Sequence, residues 1–245
     1  ANLFSKARES IKNKLKTIET GEERQIAEGL VKASDVRREY CLGRVALEEA
    51  RILDRQGDHL ASSKRYDQAT ESFQKVIDSM EREPEKKELL PIIYLCQAWE
   101  RMMMAEARVS PTLYDEAAEL FLKAEKHALD QPTSFLVQAH SSFCKALEAG
   151  VRFERTLDTT MYSTAKRHIV AATNHYLRAG YQTFSDYATA TNRLIDAYMY
   201  IYRAQSDTDP AQKARSYQMA ERLLQASAGT FIKAKHPEKS EEVRR

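Results

Sequence analysis

The sequence predicts an all-α chain built as a stack of about four long helical hairpins behind an N-terminal amphipathic helix. Three observations carry this. A tyrosine, an alanine three residues later, a large apolar residue four further on and a smaller one three beyond it form a pattern that occurs four times. It reads Tyr66, Ala69, Phe73, Val76; Tyr114, Ala117, Phe121, Ala124; Tyr162, Ala165, Ile169, Ala172; and Tyr217, Ala220, Leu224, Ser227. The first three tyrosines stand 48 residues apart and the fourth follows after 55, and a fixed period of this size marks stacked units. Only 7 Gly and 6 Pro occur in 245 residues, while Ala, Glu, Lys, Arg and Gln are common, which favours helix and disfavours a glycine-rich nucleotide-binding fold. No strand candidate survives, because the alternating stretches are short and lie inside helical periods.

The offsets of three, four and three place each quartet on one side of a helix. The alanine admits a neighbouring helix and the larger residue fills the space beside it. A second pattern lies upstream: Leu47 and Ala50, Leu95 and Ala98, Phe143 and Ala146, then Leu194 and Ala197. Each unit therefore has two helices, A and B, with a small residue on each packed side. One hairpin cannot bury both faces, so the units must stack.

Taken in order, residues 2–19 give a helix with the stripe Leu3, Phe4, Ala7, Ile11, Leu15 and Ile18. Lys6, Arg8, Lys12, Lys14 and Lys16 surround the stripe and make it locally basic. Gly21 suits a left-handed helix end, and Thr20 with Glu23 resembles a capping box. A short connector helix should then run to about Lys32. Ser34 or Asp35 is expected to cap helix A1, over roughly 36–62, with B1 from about Tyr66 to Glu81. Helix A2 follows Pro84 and either starts or kinks at Pro91. Ser110-Pro111 opens B2, which runs to about Leu129, and Pro132 opens A3, which continues to about Phe153. B3 spans about Thr159 to Gly180, A4 begins at Thr183 or Ser185, and B4 runs from Asp209-Pro210 to about Lys233. The expected organisation is an N-terminal segment (1–34), a repeat domain (35–236, units about 36–83, 84–130, 131–180 and 181–236) and the start of a closing helix (237–245).

Charges nearly balance at +2, so no global field points to nucleic acid. Cys41, Cys96 and Cys144 show no Cys-x-x-Cys spacing, and the last two are one period apart. They are expected as reduced thiols at equivalent buried positions, in a cytoplasmic protein. No run is apolar and long enough to span a membrane, and no secretory leader is expected.

Gly57, Leu60, Tyr66, Ala69 and Phe73 fall at the small, large, tyrosine, alanine and phenylalanine positions of a tetratricopeptide repeat, which the first unit thus resembles. The second unit matches through Ala105, Tyr114, Ala117, Phe121 and Ala124 but has Arg108 at an apolar position. The third matches only in its B helix, with Phe153 replacing the small residue, and the fourth keeps Tyr217, Ala220 and Leu224. A period of 48 exceeds the usual ~34-residue unit. Longer hairpins make the chain more similar to the soluble NSF attachment protein (SNAP) branch, as does the stretch Ala171–Gly180. The resemblance implies a right-handed α-solenoid with A helices lining the concave face.

By that resemblance the inward positions include Arg51, Asp54 and Asp58 in A1, Trp99, Met102 and Glu106 in A2, and, by helical spacing, Tyr198 and Tyr202 in A4. Aromatic and Met side chains suit a groove that holds a partner helix or peptide. The alternative is that Trp99 and Met102-Met103-Met104 pack between A helices as core. Tyr198, Tyr200 and Tyr202 cannot share a face, so at least one should be exposed or contact a partner. Tetratricopeptide domains that grip a C-terminal carboxylate do so with Lys and Asn. The corresponding positions here are Asp54 and Asp58, which favour a basic partner instead. Lys6, Lys12, Lys14 and Lys16 could meet an anionic membrane or a partner, or simply lie in water around a first packed layer.

No His-Glu-x-x-His or Glu-x-x-His occurs, and His168 and His175 are two turns apart, so neither metal nor cofactor is expected. The sequence leads us to expect a non-enzymatic adaptor that binds a protein partner on its concave face. A membrane-peripheral SNAP-like factor and a ligand-sensing helical domain are the rivals.

Overall fold

Local capping chemistry sets most helix boundaries. The computed structural model describes residues 1–18, 21–128 and 130–245. Its helices are α1 (Asn2–Leu15), α2 (Gly21–Arg55), α3 (His59–Asp78), α4 (Glu83–Arg108), α5 (Pro111–Glu125), α6 (Gln131–Thr156), α7 (Thr159–Arg178), α8 (Gln182–Ser206), α9 (Pro210–Lys233) and α10 (Pro237–Arg244). No strand occurs among the described residues. Asp58, Asp130, Asp158 and Asp209 start α3, α6, α7 and α9 by accepting a backbone N–H from the first turn. Gly57 ends α2 at φ 77°: its N–H reaches the Asp54 carbonyl at 2.9 Å, and the Asp58 N–H reaches Leu53 at 3.0 Å. Those two bonds satisfy carbonyls the helix leaves orphaned, and only glycine enters that conformation without strain. Gly180, at φ 81°, closes α7 in the same way.

The helices pack in chain order, each A helix (α2, α4, α6, α8) on its own B helix (α3, α5, α7, α9) and each B helix on the next A helix. The chain is therefore a helical solenoid. The quartet alanines and the residues a turn beyond them form its core: Ala69, Phe73, Ala117, Phe121, Ala165, Ile169 and Ala172 are fully buried. Upstream, Ala50, Ala98, Ala146 and Ala197 are buried as well. Close approach is explicit at Ser62, whose hydroxyl donates to the Ala50 carbonyl at 2.9 Å across the first hairpin. Gly43 gives room to the Phe73 ring, since a Cβ there would lie 3.0 Å from it. Cys96 and Cys144 occupy buried A-helix positions, and Cys41 is half-buried.

Two of the repeated tyrosines reach the A helix of the next unit: Tyr66 stacks on Trp99 at 6.3 Å between ring centroids, and the Tyr162 hydroxyl donates to Asp196 at 2.9 Å. Tyr66 and Tyr114 are buried, Tyr162 is half-buried, and Tyr217, which precedes α10, is exposed.

Several boundaries differ from expectation. The break at Ser34–Asp35 is absent, and α2 runs unbroken from Gly21, so the connector and A1 are one helix. Neither residue is free to cap: the Ser34 hydroxyl donates to the Leu30 carbonyl at 2.8 Å, and Asp35 pairs with Arg8 at 2.7 Å. Gly21 is helical rather than left-handed, and the capping box assigned to Thr20 lies outside the described residues, as does Leu129. B1 begins a full turn and more before Tyr66, because Asp58 caps it. Pro91 sits inside α4, which begins at Glu83. The carbonyl it leaves unpaired is that of Lys87, in an exposed stretch where water can bond it. The first helix stops at Leu15 and packs on α2, with Phe4, Ile11 and Leu15 half-buried and Lys6, Lys12, Lys14 and Lys16 exposed.

Candidate functional site

Side chains from all four A helices converge at the centre of the stack. Asp54 of α2, Trp99, Met102, Met103 and Glu106 of α4, Phe143 of α6 and Tyr187 of α8 line one small recess, of about 80 Å³. His59 and Tyr176, from the adjoining B helices, complete its walls, and α10 closes it with Glu238 and Lys239.

The floor is an aromatic cluster. Trp99 lies edge-on to Phe121 and His140, at 5.4 and 4.8 Å between centroids. His140 also packs edge-on to Phe184, and its Nδ1 shares a 2.8 Å hydrogen bond with the Tyr176 hydroxyl. Burial pushes the His140 pKa down to about 3, so the ring is neutral. Burial likewise holds the Tyr176 phenol well above its ordinary range. Met102 and Met103 are buried beside this cluster.

The rim is charged. Lys239 Nζ stands 3.2 Å from Glu106 and 3.2 Å from Glu242, and the Lys239 and Glu106 side chains are 19% and 15% exposed. Burial opposes the lysine charge, but Glu106, Tyr187 and Glu242 outweigh it and hold the pKa above the usual lysine range. Asp54 lies 3.5 Å from the His59 Nδ1 and raises that histidine's pKa against the effect of burial. His236 Nδ1 is 2.7 Å from Glu238 and its ring packs edge-on to Tyr187 at 4.7 Å. Beyond Lys239 the groove continues between α6 and α8 as an open apolar channel of about 370 Å³, bounded by Leu147, Val151, Leu194, Tyr198 and Val243.

Of the residues the sequence singled out, the recess gathers Asp54, Trp99, Met102 and Glu106. Tyr198 lines the adjoining channel and is 41% exposed, which makes it the exposed member of its tyrosine series. Tyr202 packs edge-on to Phe153 and faces a separate surface depression with Arg203 and Met219. Arg51 is exposed and paired with Glu48 at 2.8 Å, and Asp58 is occupied in capping α3. Trp99 is thus both core and wall: one edge meets Phe121 while the indole borders the recess. Sequence reasoning missed Tyr187, Phe184 and His140, although a run of aromatics in two successive A helices was there to be followed. It also missed Lys239, whose partner Glu106 is 133 residues away.

The arrangement suits binding a cationic group: carboxylates converge on an apolar, aromatic wall. It offers no activated nucleophile, since burial pushes the Cys96 thiol up to about 12 and the Cys144 thiol higher still. Among the described residues, no three or more His, Cys, Asp or Glu are placed to hold a metal ion, and no helix is long and apolar enough to cross a membrane.

No protein-family model matches the chain, and comparisons with curated proteins and with solved structures find no match either. The fold and the recess are therefore the ground on which function is argued.

Proposed function

We propose that this protein is a non-enzymatic, cytoplasmic adaptor of tetratricopeptide-like type that holds a helical segment of a protein partner against the concave face of its A helices. One observation carries it: four A helices, far apart in sequence, aim aromatic, Met and acidic side chains at a single recess that opens into an apolar channel. An aromatic anchor surrounded by oriented charge is what concentrates binding energy at protein interfaces. The long hairpins are similar in length to those of the SNAP-like branch. A photo-crosslinking residue placed at Tyr198, on the channel, tests this against one placed at Val170, exposed on α7. Proteins captured at Tyr198 and not at Val170 are the expected result. Capture only at Val170, or at neither, would sink the concave-face assignment.

A membrane-peripheral role has one observation in its favour: Lys6, Lys12, Lys14, Lys16 and Leu3 are all exposed on α1. Flotation with vesicles containing about a third phosphatidylserine decides it. Binding lost on changing the four lysines to Gln supports a surface role, and binding that is absent or unchanged removes it.

A further inference from the structure

We propose that the recess is a receptor for a lysine side chain carried on a partner's helix, and that α10 is a built-in stand-in that occupies it until such a helix arrives. This rests on the concave-face assignment above and gives the partner a chemistry. What fits the recess is visible, because part of this chain is already in it. Lys239 lines the recess together with Trp99 and Tyr187, and its ammonium reaches Glu106. Val243, four residues on and hence on the same side of α10, borders the apolar channel that continues past the helix. The partner's pattern is therefore a lysine followed at i+4 by an aliphatic residue, on a helix long enough to run past Val243 along Leu194 and Tyr198.

Two features of α10 suit a replaceable occupant. Its buried residue, Ser240, has a hydroxyl with no hydrogen-bond partner. The corner that swings it into the groove is Lys235, a non-glycine residue at φ 64°, in a region that opposes a side chain. Releasing α10 removes that strain but leaves Glu106 without its cation, so the vacated groove favours a lysine over any neutral side chain.

The test uses the full chain and a fluorescently labelled peptide with the sequence His236–Arg245, followed by anisotropy. Lys239→Glu sets a like charge against Glu106 and Glu242 and expels α10. Lys239→Met keeps the stem and removes only the ammonium. Circular dichroism confirms that each variant is folded, and Trp99, the single tryptophan, reports opening by a change in its emission. The peptide should bind each variant at least tenfold more tightly than the wild-type chain, a gain of ~1.4 kcal/mol. Replacing the peptide's lysine with methionine, or adding Glu106→Gln to the chain, should abolish that gain. Equal affinity for variant and wild type, equal affinity of the two peptides, or no binding to a folded variant overturns the proposal. If crosslinking from Tyr198 still captures partner proteins in that event, the adaptor assignment survives and only the lysine receptor falls.

Discussion

His140 couples the stability of the stack to pH. It lies at the centre of the aromatic cluster, fully buried, and its pKa is pushed down to about 3 by burial, against ~6.5 in an unfolded chain. Between those values the unfolded state carries a proton that the native state refuses. Stability therefore rises with pH across the window and falls as pH is lowered from ~6.5. With ~1.4 kcal/mol per pH unit for one proton, going from pH 7.5 to pH 4.5 should remove about 2–3 kcal/mol through this group alone. His168 and His175 are also lowered by burial and add in the same direction, while His59 is raised by Asp54 and acts oppositely, adding stability below ~6.5 that is lost as pH rises through its native value. Paired substitution isolates the central term. His140→Leu with Tyr176→Phe removes both partners of the 2.8 Å hydrogen bond, so neither is left buried and unsatisfied. Urea unfolding at pH 7.5, 6.5, 5.5 and 4.5, followed by Trp99 emission and by far-ultraviolet circular dichroism, gives the two stability curves. The wild-type curve should fall more steeply than the variant's by about 2–3 kcal/mol over that span. Parallel curves would show that His140 takes up its proton in the folded state and would refute the sealed neutral ring.

Four further outcomes follow from the structure. Gly43→Ala places a methyl 3.0 Å from the Phe73 ring and should cost about 1–3 kcal/mol by overpacking, read as a lowered urea midpoint with an unchanged slope. Gly57→Ala, at φ 77°, should destabilise by ~1–2 kcal/mol. Gly29→Ala, in the exposed interior of α2 with nothing near its Cβ, should stabilise by ~0.5–1 kcal/mol; a loss there would mean that α2 is not continuous at this point. With a thiol reagent under native conditions, half-buried Cys41 should react first, and Cys96 and Cys144 only on unfolding, as mass spectrometry of partly labelled chain will show.

The hairpins were legible because close packing constrains residue types at fixed spacing. A small residue lets two helices approach at positions such as Ala69 and Ala117, and a large apolar side chain fills the space a turn away at Phe73 and Phe121. Capping signals were legible for the same local reason, and Ser110-Pro111, Pro132 and Asp209-Pro210 all mark real starts. Gly21 opens α2 rather than ending the helix before it, and Ser34 and Asp35 misled because their side chains bond elsewhere: the Ser34 hydroxyl turns back to Leu30 within the helix, and Asp35 is taken by Arg8 on another helix. Propensity is a weak prior once tertiary partners compete for the same groups. Part of the candidate site was reached through the A-helix register, which brings Asp54, Trp99, Met102 and Glu106 together. The rest depends on how tightly the stack curls and where α10 lands, neither of which has a short-range signature.

The repeated tyrosine shows how one local pattern meets different surroundings along the stack. At Tyr66 and Tyr162 it reaches the A helix of the following unit, by stacking on Trp99 and by hydrogen bonding to Asp196. Tyr66 and Tyr114 are 3% and 4% exposed, Tyr162 is half-buried, and Tyr217, which precedes α10, is 43% exposed. The chain turns at Lys235, and α10 places Lys239 against Glu106 at the centre of the groove. The recess is therefore filled by a contact between Glu106 and Lys239 that the repeated quartets do not encode.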